Sequence, residues 1–149
     1  MKTASPRRRM DRPGLTLLEI TVVLAVLLAM TTVLLIGARA WSRGSDRAAC
    51  IMNIRNVQMS VRSYQNLYGF ASGTIPRAER GSQSIADHLL HKGYIDSTTH
   101  EMLKGIQPCP GGGLYELAHE DVFPTPGELY VTCSLETRQQ HQLPNDRDW

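Results

Sequence analysis

A run of uncharged, mostly branched-aliphatic residues near the N-terminus limits every fold this chain can adopt. Ile20 to Ile36 is 17 residues without a formal charge, and 11 of them are Leu, Ile or Val. With its flanks, 15–37, the segment is long enough for a spanning helix at about 1.5 Å of rise per residue. Each Leu, Ile or Val contributes roughly −0.3 to −0.6 kcal/mol of insertion free energy, so the run sums to about −3 to −7 kcal/mol. That sum can carry one carboxylate near its end. Glu19 is that carboxylate, the only formal charge between Leu15 and Ile36.

Charge is distributed around this run in a way that sets an orientation. Before Leu15 stand Lys2, Arg7, Arg8, Arg9 and Arg12 against Asp11 alone. Basic residues ahead of a span predict a cytoplasmic N-terminus with the remainder exported. From Leu15 onward there are 11 basic and 13 acidic residues, so the net charge of +2 belongs to the leader. The soluble part carries no basic patch, and nucleic acid is not expected as a partner. At 149 residues the chain has room for one domain with a sizeable core.

A secretory signal peptide competes for the same residues, and Ala38-Arg39-Ala40 resembles its small-residue cleavage site. Its apolar region has about 7–15 residues and no acid in the first turns. This run is longer and opens on Glu19.

An ionisable residue inside a span is costly and usually has a partner. The block Arg12-Pro-Gly14-Leu-Thr-Leu-Leu-Glu19-Ile, followed by the apolar run, resembles the prepilin peptidase site of type IV pilins and type II secretion pseudopilins. The resemblance implies a basic leader, 1–14, removed after Gly14, with N-methylation of the new N-terminus at Leu15. It makes Glu19 the fifth mature residue, whose carboxylate neutralises the amine of a neighbouring subunit. Leu15 departs from the family's usual phenylalanine but keeps the site apolar. Glycine before the cut lets the backbone enter a tight protease site. Pairing turns two uncompensated charges in low dielectric into one neutral unit.

The family's layout implies an α+β fold, with one long N-terminal helix packed on a small antiparallel β head. It implies a structural filament subunit, most closely a type II secretion pseudopilin, with no cofactor. Its partners would be the prepilin peptidase, other pilin or pseudopilin subunits, an inner-membrane assembly platform and, before assembly, membrane lipid. The segments would be a leader (1–14), a filament-core helix (15–37), an exported domain (38–135) and a polar tail (136–149). The alternative from another class is a signal-anchored periplasmic binding or sensing domain that never polymerises.

Beyond the span, Ile54, Val57, Val61, Tyr64 and Tyr68 step by three and four residues, laying one apolar stripe along a helix. Cys50 and Ile51 extend that stripe backward. Gly37 and Gly44-Ser45 are points where the helix could bend, and Gly69 is a stop signal. A helix from Leu15 to Tyr68 would measure roughly 80 Å. The stretch from Phe70 to Ser84 reads as a loop. Ser84 to Gly93 reads as a short amphipathic helix with Ser84 as N-cap and Asp87 three residues on. Leu114–Ala118 and Glu128–Cys133 read as strands, and a frayed tail is expected from Glu136.

Cys109-Pro-Gly-Gly-Gly-Leu-Tyr115 followed by Cys133-Ser134 resembles the C-terminal head of several pseudopilin-like and competence pilin subunits. In an exported head that resemblance makes Cys109 and Cys133 a disulfide pair. Cys50 reads as a small buried side chain on the helix stripe. No enzyme is expected. A Cys–His nucleophile would have to draw Cys109 or Cys133 together with His119 or His141, and no phosphate loop or Gly-x-Ser-x-Gly is present. The histidines lack metal-ligand spacing, so no metal is expected. Glu120-Asp121 reads as a solvated turn rather than a calcium ligand set.

Overall fold

The computed structural model describes residues 16–119 and 121–143. The chain divides into two compact units, Met1–Ala40 and Trp41–Trp149. Its first element, α1 (Leu17–Tyr68), begins in the former and ends in the latter.

In the first unit α1 is long and apolar enough to cross a membrane, and no part of its apolar window is buried. Its start is a capping arrangement. The Thr16 hydroxyl accepts from the Glu19 backbone N–H at 3.3 Å, and the Thr16 carbonyl accepts from Ile20 N–H at 3.2 Å. Glu19 is exposed in the first helical turn. Inside the run, Thr21, Thr31 and Thr32 donate their hydroxyls back to the carbonyls of Leu18 and Leu28. No polar side chain of Ile20–Ile36 therefore asks for a partner outside the helix, as hydrocarbon requires. Helical structure continues through Gly37 and Gly44, where the sequence allowed a break.

In the second unit α1 buries Cys50, Ile54, Val57, Val61 and Tyr64 of the expected stripe, and with them Gln58 and Gln65. Tyr68 falls outside it, 47% exposed. Gly69 ends the helix at φ +68°, and Phe70 N–H reaches back to the Gln65 carbonyl at 3.0 Å. Only a residue tolerant of the left-handed region closes a helix this way.

Two short helices follow the loop. In α2 (Ile85–His91) Ser84 holds the N-cap position but makes no side-chain cap bond. Ser82 does the polar work instead: its hydroxyl donates to Asp87 Oδ2 at 2.7 Å and accepts from Ser84 N–H at 3.1 Å. The helix α3 (Ser97–Leu103) was not anticipated, although its signals are ordinary. Asp96 caps it, accepting from Thr99 N–H at 2.9 Å, and Gly105 at φ +73° terminates it. Asp87 joins the two helices, accepting from His100 at 2.7 Å and pairing with Lys104 at 3.2 Å.

The sheet is a two-stranded antiparallel ribbon, β1 (Tyr115–Leu117) with β2 (Val131–Cys133), in the register Tyr115 to Cys133. Both strands are shorter than expected. The fold class is thus α+β: a long N-terminal helix and a small antiparallel sheet. Val131 and Cys133 face the core that α1 also lines, together with Phe123, Ile85 and Leu89. The expected fraying does not hold for 136–143. There a single-turn helix, α4 (Glu136–Gln139), leads to Gln140 at φ +56°, and His141 and Leu143 turn back into the core.

Candidate functional site

The processing block, Gly14 and Leu15, lies outside the described residues. Of that reading Glu19 is described. The bond from its N–H to Thr16 makes Thr16-Leu-Leu-Glu19 a capping sequence as well as a candidate assembly signal.

The other candidate site is inside the second unit. Cys50 on α1, Cys109 in the turn before β1, Cys133 at the end of β2 and His141 beyond α4 converge, all of them buried. Their three sulfurs and one imidazole nitrogen lie within 4.8 Å of one another. Cys109 Sγ is 3.3 Å from His141 Nδ1, and Cys133 Sγ is 4.0 Å from it.

Local sequence explains how the four arrive. Pro110 and three glycines let the chain fold tightly after Cys109. Cys109 N–H donates to the Gly113 carbonyl and Gly112 N–H to the Cys109 carbonyl, each at 2.7 Å, and Gly112 sits at φ +84°. Within that turn Gly111 N–H points at Cys109 Sγ, 3.4 Å away. The turn is also packed against the histidine. A Cβ on Gly111 would lie 2.6 Å from His141 Cε1, so no larger residue fits unless the ring moves. The β1–β2 register carries Cys133 to the same place, and Ser134 Oγ secures it by accepting from Leu114 N–H at 2.9 Å. Arg47 on α1 donates to Gln140 Oε1 at 3.0 Å, beside the bend that aims His141 inward.

Electrostatically these are crowded, dry sulfurs. Burial, and after it the neighbouring Cys109, pushes the Cys50 thiol far up from its ordinary range. Burial likewise raises Cys133. The ring orientation of His141 is set from one side: Nδ1 faces the sulfurs, while Nε2 is buried with no hydrogen-bond partner among the described residues.

Sequence reading joined these residues at most in pairs, and the structure brings all four together. Cys109 and Cys133, expected as a disulfide pair, are both free thiols here, as is Cys50. Metal-ligand spacing was sought among neighbours in sequence, whereas the fold draws one donor from each of four distant segments. His141 was assigned to a frayed tail. An odd count of three cysteines, one opening a Cys-Pro-x-Gly turn, was the available signal. A Cys–His pair at 3.3 Å also suits a nucleophile. Here the sulfur is only 2% exposed, and its other neighbours are thiols rather than a group that would orient the imidazole. Asp121 is separated from this cluster in sequence and takes no part in it.

Compared with protein-family models, curated proteins and solved structures, the chain matches none of them.

Proposed function

We propose that this chain is a structural subunit of a type IV pilus-like filament, most closely a type II secretion pseudopilin. The observation that carries the reading is Glu19, a carboxylate in the first turn of a helix that is otherwise uncharged to Ile36 and unburied within its own subunit. A surface so apolar needs lipid or other copies of itself around it. The staged mechanism follows. The subunit inserts with its basic leader in the cytoplasm, is cut after Gly14, is N-methylated at Leu15, and moves from the bilayer into a bundle of like helices. In that bundle Glu19 neutralises the amine of an adjacent Leu15.

A second reading has an observation of its own. Because Glu19 occupies the third position of a capped helix start, it has a local role that needs no neighbour. A single-pass anchor carrying a periplasmic binding or sensing domain would need nothing more.

The mature N-terminus separates the two. Mass spectrometry of the chain taken from membranes is expected to give an N-methyl-leucine at position 15. An intact leader, or a cut near Ala40, would sink the filament reading.

A further inference from the structure

We infer that Cys50, Cys109, Cys133 and His141 form a structural zinc site that closes the core of the second unit. The inference does not rest on the filament reading, since a membrane-anchored domain that never assembles would need its core closed just as much.

Four features carry it. The donor set is three thiol sulfurs and one imidazole nitrogen, the soft and borderline ligands that Zn2+ takes in closed four-coordinate sites. The spacing suits one ion. At about 2.3 Å from sulfur and about 2.0 Å from nitrogen, a tetrahedral ion sets its sulfur and nitrogen ligands about 3.5 Å apart. The separations of His141 Nδ1 from the Cys109 and Cys133 sulfurs, 3.3 and 4.0 Å, fall on either side of that value.

The third feature is the turn. Gly111 N–H directed at Cys109 Sγ supplies a backbone donor to a sulfur that would carry negative charge once it is a ligand. The fourth is His141 itself. Its Nδ1 is aimed into the sulfurs while Nε2 has no partner among the described residues, so the ring is oriented from the thiol side. A histidine placed only to fill space would more readily use its polar atoms elsewhere.

Coordination is a proton exchange, and its balance is simple. Three thiols lose their protons to solvent as three zinc–sulfur bonds form, and neutral His141 donates its Nδ1 lone pair with no redox change. The three thiolates then hold two positive charges with one net negative charge left in the core. The competing chemistry is oxidation of Cys109 and Cys133 to a disulfide, which removes two electrons and two protons, leaves Cys50 as a lone thiol, and dismantles the donor set.

The test uses the full chain, extracted from membranes in detergent without reductant or chelator. Elemental analysis is expected to find stoichiometric zinc, and alkylation without reduction should label all three cysteines once the chain is denatured with a chelator. Stripping the metal should lower the thermal midpoint, and zinc alone should restore it. Cobalt added to the stripped protein should show intense tetrahedral d–d bands with sulfur-to-cobalt charge transfer, both displaced by zinc. Cys50→Ser should retain no zinc through dialysis. Wild-type protein that lacks zinc and carries a Cys109–Cys133 disulfide would overturn the proposal. So would cobalt bound without sulfur charge transfer, or zinc retained unchanged by the Cys50→Ser, His141→Ala double variant. The wild-type measurements decide the matter even where a variant fails to fold.

Discussion

The buried side chain of Gln58 grips the strand region from inside the helix: its Oε1 accepts from Tyr130 N–H at 2.8 Å and its Nε2 donates to the Glu128 carbonyl at 3.0 Å. The amide thereby ties α1 to the segment that leads into β2. A two-stranded ribbon is marginal alone. Here a fully buried helix side chain fixes the approach to one of its strands.

Gln58→Ala should therefore destabilise the second unit by about 2–4 kcal/mol, from a cavity plus the loss of the bonds to Tyr130 and Glu128. Gln58→Glu should be at least as harmful, because it keeps the acceptor but sets a carboxylate against the Glu128 carbonyl. Urea denaturation of the full chain in detergent measures both. A loss below about 0.5 kcal/mol for either would show that the amide is not the strand's partner.

This bond also marks a limit of sequence reading. The period of three and four found Ile54, Val57, Val61 and Tyr64 because apolar residues announce a buried face. Gln58 and Gln65 lie on the same face but announce nothing by residue type: Gln58 is satisfied by Glu128 and Tyr130 far along the chain, and Gln65 by Arg62 and Ser72 close by. Helix ends were legible at Gly69 and Gly93, each at a positive φ, but not at Gly105, which closes the unanticipated α3. The strands were read as longer than the paired residues 115–117 and 131–133, beyond which single hydrogen bonds from Ala118 N–H to Tyr130 and from Ser134 N–H to Leu114 still join the two segments. The buried cluster was least legible of all. Its four donors have no common spacing, and only the turn after Cys109 was local enough to be read.

Acid should weaken the α2–α3 junction before the rest of the second unit. The Ser82 hydroxyl, then His100 and Lys104, hold the Asp87 carboxyl far below the usual carboxylate range. A depressed folded-state pKa stabilises above the unfolded value, near about 3.9, and that contribution is lost as pH falls through the folded value. Asp87→Asn should cost about 1–2 kcal/mol at neutral pH and flatten the acid limb below about pH 4. Thermal melts at stepped pH provide the check. Parallel acid limbs for wild type and variant would remove Asp87 from the account.

Gly111→Ala should act on the cluster without replacing any of its four donors. The added methyl would lie 2.6 Å from His141 Cε1, so the imidazole must shift or the turn must open. Overpacking of this kind costs about 1–3 kcal/mol. Gly113→Ala should be comparable, since its Cβ would meet Leu135 Cγ at 2.7 Å. A Tm unchanged in both variants would mean that the turn yields more freely than its geometry implies.

Glu19→Gln is the most discriminating change at the N-terminus. Glutamine serves the capping position as well as glutamate does, so the helix start is kept while the charge is removed. Insertion and cleavage after Gly14 should proceed normally, and incorporation into filaments should fall sharply. Cleaved subunit and filament yield, scored in the same cells, separate the two roles. Assembly at the wild-type level would leave capping as the only purpose of that residue.

Gly14→Val should block release of the leader, because a branched side chain crowds the backbone where a protease must approach it. The expected product is a precursor of full mass retained in the membrane. A mature mass equal to that of wild type would place the cut elsewhere.

The four residues that meet in the core run from position 50 to position 141, and this imposes an order of events. A chain delivered across a membrane from its N-terminus presents Cys50 early and His141 late. Until the segment 136–143 arrives, three thiols stand together without the group that covers them. The second unit therefore cannot finish folding by halves. Its closing step waits for nearly the whole chain, so a polypeptide stalled or clipped before His141 would carry its incompleteness as uncovered sulfur, open to oxidation.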